Sequence, residues 1–313
     1  MMKLSVMKNF FEMEKTYVYQ LLERWGPDKD SLRFLRASSN FIFTFEKEGE
    51  KYILRITPEG DWEKINQELL FLSYLKDHPV TVNQPVQSYE GNLIESIHTP
   101  MGALHGVVVQ FLQGNLKEIE ELNDEEYVLW GEALGNLHHL SRLYHEKETS
   151  TLINLLSPIT VQDALEQKEY DKVSVHLNSL KRTSQNYGRI HFDFELDNLI
   201  WAGKEVQIID FEGSLSGWFA ADIAFALRDL FSNDVDLSNK NFQLFIQGYR
   251  TKMEISEEEI NHIPMFIRFH NYVTYDHLKQ VVDVQINEET PEWLAGLVNK
   301  LEQKIEGYRA TFG

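Results

Sequence analysis

The residues of this chain best suited to chemistry lie between 190 and 212, in the stretch IHFDFELDNLIWAGKEVQIIDFE. His191-x-Asp193-x-x-x-x-Asn198 supplies an imidazole, a carboxylate and an amide, and Asp210-Phe211-Glu212 supplies two further carboxylates. A carboxylate can accept or orient a proton. An amide oxygen beside a carboxylate suits a hard cation such as Mg²⁺, which keeps waters and takes its remaining ligands from nucleotide phosphates. Together these are the needs of phosphoryl transfer. The intervening pattern brings the groups together, because Leu199-Ile200-Trp201 and Val206-Gln207-Ile208-Ile209 read as short strands joined by the turn Ala202-Gly203-Lys204-Glu205. Pairing outward from that turn sets Asn198 opposite Ile209 and Asp210, with Asp193 on the loop just before. H-x-D-x4-N alone is a weak signal; the second strand ending in Asp-Phe-Glu makes it far more specific.

Composition narrows the classes. A chain of 313 residues that is 42% hydrophobic can bury a sizeable core and has room for two lobes. No run reaches the roughly 18 apolar residues that span a bilayer, and the N-terminal MMKLSVMKNFFEMEKTYVYQ is too soon broken by charge for a cleaved leader. Zero cysteines exclude disulfides and thiolate metal sites and fit a cytoplasmic protein. A formal charge of −19 argues against nucleic acid as a partner. The same charge can steer a cationic substrate or simply maintain solubility.

The elements that must position the 190–212 segment follow from periodicity. Phe11, Val18, Leu21, Leu22 and Trp25 have helical spacing and predict one opening amphipathic helix ended by Gly26-Pro27. Phe41–Glu46 and Lys51–Thr57 alternate as a hairpin, a helix follows over about 62–76, and strands recur near 93–97 and 106–112. Beyond Gln113-Gly114-Asn115 the chain reads as mostly helical apart from the hairpin at 199–209. The order predicts an α+β chain with a small sheet-bearing lobe at 1–112 and a larger helical lobe at 113–313, with nucleotide expected in a cleft.

With these residues in view, the chain resembles the aminoglycoside phosphotransferase and choline kinase superfamily, distant relatives of protein kinases, from about Ser38 to about Phe269. The resemblance implies a two-lobed protein-kinase-like fold, an antiparallel sheet with one helix followed by a mainly helical lobe. It implies ATP or GTP with Mg²⁺ as cofactors, Asp193 as catalytic base, and Asn198 and Asp210 as metal ligands. It also implies Glu212 as a ligand of a second metal, since the Asp-Phe-Glu form also occurs in choline kinases. Arg55, two residues after Ile53 and on the same strand face, would reach phosphate while Ile53 roofs the base. Glu68 falls inside the apolar face formed by Trp62, Ile65, Leu69, Leu72 and Leu75, where a carboxylate needs a partner, and Arg55 is the candidate. Arg36-Ala37-Ser38-Ser39-Asn40 stands where protein kinases carry a glycine-rich loop; it has no glycine and by itself reads as a turn, with Ser39 and Asn40 the residues offered to phosphate. Gln110-Phe111-Leu112 resembles the adenine-binding hinge.

Other residues have plainer readings. His191 is expected to shape its loop, and Asp222 to cap a helix or, by the resemblance, to tie down the backbone of the 191–198 loop. His138 and His139, adjacent on a helix, point about 100° apart and cannot share a metal. Tyr272, Tyr275 and Trp293 read as core rather than as a cage for a quaternary ammonium. Transfer of phosphate to a small-molecule hydroxyl, on an aminoglycoside-, choline- or homoserine-like acceptor that is cationic if the acidic surface steers it, is the leading function. Little room separates Asp210 from Asp222 for an activation segment, and Glu195 is acidic where typical protein kinases carry a lysine. A bacterial Ser/Thr protein kinase of the same superfamily and a nucleotide-binding pseudoenzyme remain as alternatives. The acceptor and the oligomeric state are beyond the sequence.

Overall fold

The computed structural model describes residues 1–13, 15–58, 60–144, 150–231 and 234–313, which fall into two compact units. The first comprises 1–73, 83–111 and 275–307; the second comprises 74–82, 112–274 and 308–313. The unit changes at 111/112, but residues 74–82 group with the second unit and residues 275–307 with the first.

The first unit opens with α1 (Leu4–Glu12) and α2 (Thr16–Leu22), two helices rather than the single one expected, because Met13 turns to extended backbone. Their apolar faces cover a sheet of β1 (Arg33–Ala37), β2 (Phe41–Lys47), β3 (Glu50–Pro58), β4 (Pro85–Val86), β5 (Glu95–Thr99) and β6 (Gly102–Gln110). The strand order is β1-β2-β3-β6-β4, with β5 also on β6. β3 explains how one strand serves core and site together. Leu54 and Ile56 are fully buried in the cluster with Phe10, Phe41 and Leu104, so Ile53 and Arg55, of opposite parity, occupy the other face. The helix α3 (Trp62–Leu75) follows with Ile65, Leu69, Leu72 and Leu75 buried, while Trp62 at its first turn stays exposed.

Helices dominate the second unit: α4 (Asp124–Leu143), α5 (Ala164–Ser179), α6 (Phe219–Ala226), α7 (Lys240–Tyr249) and α8 (Glu257–Ile260). α9 (Ile263–Val281) has residues in both units, and α10 (Glu292–Arg309) lies mostly in the first. Two small antiparallel pairs interrupt the helices. β8 (Leu199–Ala202) and β9 (Glu205–Ile208) form the expected hairpin, in the register Leu199 to Ile208, with Gly203 supplying the positive φ of the turn. β7 (Tyr187–Ile190) pairs with β10 (Leu215–Trp218), a pairing not anticipated because no local turn joins the two strands. Tyr272 and Tyr275 are buried as expected, but Trp293 is 43% exposed and meets Phe11 edge to face.

Close approach of α4 and α7 sets the geometry of the second unit. Gly131 and Gly135 on α4 and Gly248 on α7 stand where an added Cβ would overlap the backbone of Phe245, Tyr249 and Val128 respectively. Neither helix can yield without shifting its hydrogen-bonded backbone. Gly131→Ala or Gly248→Ala is therefore expected to cost about 3 kcal/mol or more, the upper end for overpacking. Urea unfolding measures this directly, and a change within 0.5 kcal/mol, roughly the surface-substitution range, would show that the helices are not locked by these contacts.

Candidate active site

The 191–198 loop leaves β7 and ends in a short 3₁₀ turn, Leu196–Asn198, before β8. The register of β8 and β9 continues one step outward, with the Ile209 N–H donating to the Asn198 carbonyl at 3.0 Å. This brings Asn198 beside the strand end that carries Asp210, as the hairpin reading required. The buried Asn198 side chain donates its amide N–H groups to the Asp193 carbonyl at 2.9 Å and to Asp193 Oδ2 at 3.0 Å. With its nitrogen committed there, the amide oxygen is the atom left to face a cation. Asp210 (φ 67°) precedes a 3₁₀ turn over Phe211–Gly213, and both Asp210 and Glu212 are half-buried. Amide and carboxylate oxygens on adjacent backbone positions are a donor set that fits Mg²⁺.

His191 shapes the loop. Its Nε2 lies 3.0 Å from the Ile209 carbonyl and its Nδ1 3.3 Å from the Asp193 N–H, so Nε2–H donates and Nδ1 accepts. One ring thus ties the backbone before Asp193 to the backbone before Asp210. Asp222 is the fourth residue of α6 rather than its cap, and its two oxygens accept from the His191 and Phe192 N–H groups, each at 2.8 Å. The loop-anchoring expectation therefore holds, and the capping one does not.

Three residues around Asp193 and Glu195 were not singled out from the sequence. Arg228 forms an ion pair with Glu195 and approaches Asp193 at 3.7 Å. His270 and Tyr308 are close enough to interact electrostatically with this group, His270 with Asp193 and Arg228, and Tyr308 with Arg228 and Glu195. An arginine in the otherwise apolar run after Asp222 was the one available signal. His270 and Tyr308 arrive from distant helices and leave no local pattern. Burial pushes the His270 imidazole down to about 3, so it is neutral.

Two carboxylates sharing one guanidinium divide a proton. Burial, the hydrogen bond to Asp193 and the Asp193 charge push Glu195 up to about 8, with Arg228 opposing. Burial alone would also raise Asp193, but the Glu195 hydrogen bond and the Arg228 charge outweigh it and hold this carboxyl below its ordinary range. The Asp193 side chain keeps 48% of its surface open to solvent, which moderates the burial penalty. At neutral pH the proton sits on Glu195 and Asp193 is the carboxylate. Between the ordinary Glu value of 4.5 and about 8, the folded state holds a proton that the unfolded chain has released, so stability falls as pH rises through that window. Relative to Glu195→Gln, wild type is expected to lose on the order of 1 kcal/mol per pH unit between about pH 5 and 8. Urea titrations of both proteins across that range test it, and parallel stability curves would rule out the shared proton.

In the first unit, Arg55 and Glu68 form a bidentate pair, Nη1 to Oε1 and Nη2 to Oε2, both at 2.7 Å, with residue exposures of only 8% and 5%. Ile53 shares the Arg55 face and is half-buried. The 36–40 segment is not one loop: Arg36 and Ala37 end β1, and only 38–40 form the turn, closed by the Ser38 N–H to Asn40 carbonyl bond. Ser39 is half-buried, whereas Asn40 is buried and its side-chain oxygen accepts from the Thr57 hydroxyl at 2.7 Å, which ties the turn to β3. The Gln110 N–H donates to the Gln84 carbonyl at 2.9 Å, and Lys51 lies over the Phe111 ring. Leu112 begins the second unit.

Residues 31–252 match the family model described as the phosphotransferase enzyme family. The chain belongs to that family. It is a phosphotransferase, and its fold is protein-kinase-like. It is 23% identical to amicoumacin kinase of Bacillus subtilis (strain 168) over 309 residues, covering 92% of each chain. Among solved structures it is similar to amicoumacin kinase hAmiN, in complex with AMP-PNP, Ca²⁺ and Ami. That match has a TM-score of 0.78 at 21% identity over 94% of this chain and 93% of that one. A microcompartment-associated aminopropanol kinase follows with a TM-score of 0.72 at 19% identity, covering 95% and 96%. Among the described residues no helix is long and apolar enough to cross a membrane.

Proposed function

We propose that this phosphotransferase moves the γ-phosphate of ATP, or GTP, with Mg²⁺, to a hydroxyl of a small amine-bearing alcohol. The observation that carries the reading is Asp193, kept as the carboxylate and fixed by the Asn198 amide one register step from Asp210. Asp193 orients the acceptor hydroxyl and takes its proton as the oxygen attacks. The Asn198 amide oxygen and Asp210 hold the metal, with Glu212 serving a second one. When bound, the metal neutralises phosphate charge. Arg55, braced by Glu68, meets nucleotide phosphate; Ser39 offers its hydroxyl, and Asn40 its side-chain N–H groups. Ile53 packs on the base, and the backbone of 110–112 recognises its edge.

An amine on the acceptor is supported by the acidic balance of the chain, a formal charge of −19, which favours the approach of a cation. Two of the similar proteins are named amicoumacin kinase and aminopropanol kinase, and the second name is that of an amino alcohol. We place residues 1–112 with nucleotide handling, 113–313 with the acceptor, and the enzyme in the cytoplasm, where nucleotide is available. Acceptor-dependent ADP release over a panel of amino alcohols, aminoglycosides and amicoumacin, each beside its deaminated analogue, tests the assignment. Amine-bearing acceptors are expected to show at least about tenfold higher kcat/KM, the effect of one added charge-assisted hydrogen bond. Equal values would remove the amine from the proposal, and no acceptor-dependent release across the panel would refute the acceptor class.

A further inference from the structure

Phe192, the residue before Asp193, has φ 73°, in the left-handed region that a side chain bearing Cβ enters only at a cost. Its backbone is held there by Asp222, whose Oδ1 accepts from the Phe192 N–H and whose Oδ2 accepts from the His191 N–H. Asp222 is fully buried, and its Oδ2 lies 3.0 Å from His138 Nε2. His138, also fully buried on α4, has its Nδ1 2.9 Å from the hydroxyl of the buried Tyr249 at the end of α7. Burial pushes the imidazole below its ordinary value despite the carboxylate beside it, so the ring is neutral and has one N–H. Asp222 is an acceptor already, which assigns that N–H to Nε2. Nδ1 is then an acceptor, and Tyr249 must donate to it; burial raises the phenol well above its ordinary value, so its proton is in place. The protons have one arrangement: Tyr249 O–H to His138 Nδ1, His138 Nε2–H to Asp222, and Asp222 to the two backbone N–H groups before Asp193.

We propose that His138 and Tyr249 are positioning residues, which aim the Asp222 carboxylate at the His191 and Phe192 amides and so hold Asp193 where the acceptor hydroxyl meets it. The effect on turnover rests on the reading of Asp193 given above; the effect on the backbone does not. Ring packing supports the same role, because His138 stacks on Phe219 at 4.5 Å between centroids and cannot turn to another partner without unpacking.

The experiment compares wild type with His138→Phe, His138→Gln and Tyr249→Phe in three measurements: kcat at saturating nucleotide and acceptor, the Kd for Mg²⁺-ATP, and amide hydrogen exchange at His191 and Phe192. His138→Phe keeps ring packing and deletes both hydrogen bonds. It is expected to lower kcat ten- to hundredfold with Kd within twofold, and to speed exchange at the two amides at least tenfold while the β2–β3 amides keep their rates. His138→Gln, which retains an amide donor toward Asp222, is expected to recover most of both effects. If His138→Phe does not fold, Tyr249→Phe, lacking a single oxygen, is expected to lower kcat three- to tenfold with faster exchange at 191 and 192. Unchanged kcat and exchange in the folded variants overturn the proposal, as does a uniform rise in exchange across all amides. A wild type inactive on every acceptor refutes the function assigned above, and the exchange rates then still decide whether this chain of hydrogen bonds holds the loop.

Discussion

Asp193→Asn is expected to fold as wild type and bind Mg²⁺-nucleotide with unchanged affinity, yet lose on the order of 10²- to 10⁴-fold in acceptor-dependent turnover. Asparagine preserves the size of the side chain and can keep one hydrogen bond to the Asn198 amide after its own amide turns. It cannot take a proton. It also removes the negative charge that raises Glu195, so Glu195 is expected to ionise more readily and keep its partner Arg228. The nearby ion pair thus survives, which argues for intact folding. Because phosphoryl transfer passes through a loose transition state in most analyses, the loss belongs nearer the lower bound if orientation matters more than proton removal. Asp210→Asn provides the contrast, weakening the metal charge and nucleotide handling together. Steady-state turnover with calorimetric nucleotide titration separates the two, and full turnover by Asp193→Asn would displace Asp193 from its role.

The second large effect concerns stability. Arg55→Ala leaves the Glu68 carboxylate 5% exposed with its bidentate partner gone, and is expected to destabilise the fold by about 3 to 5 kcal/mol. Replacing both residues with apolar ones of similar size, Arg55→Met with Glu68→Leu, is expected to recover most of that loss, since the larger part of the cost is an abandoned buried charge rather than the worth of the pair. Both variants should nevertheless bind nucleotide poorly, because a guanidinium fork has no apolar substitute at a phosphate. Urea unfolding of the singles and the double gives the coupling energy. Strict additivity would mean that the pair is energetically irrelevant, and normal nucleotide affinity in the double would take Arg55 out of phosphate binding.

The chemistry of this protein is written locally, and that is why so much of it is legible without coordinates. Asp193, Asn198 and Asp210 are separated by a loop and a two-strand hairpin, and a hairpin's register follows from its own turn and alternation. The Arg55–Glu68 pair was equally accessible, because a carboxylate in the apolar face of α3 must find a cation and β3 carries one at the right parity. What lay beyond reach depends on partners distant in the chain. The glycine-free turn carries no local sign that the Asn40 side-chain oxygen accepts from Thr57 on β3. Asp222 has both a capping and a loop-anchoring reading in the sequence, and only packing puts its oxygens on the 191 and 192 amides. Arg228 and His270 reach Asp193, and Tyr308 reaches Arg228 and Glu195, from three separate elements, and His138 finds Tyr249 because glycines let α4 and α7 approach closely. Periodicity reports which face of an element is buried, and turn chemistry reports how neighbours pair. Which distant polar group satisfies a buried one is decided only when the elements pack, since desolvation compels every such group to find a partner without naming it in the sequence.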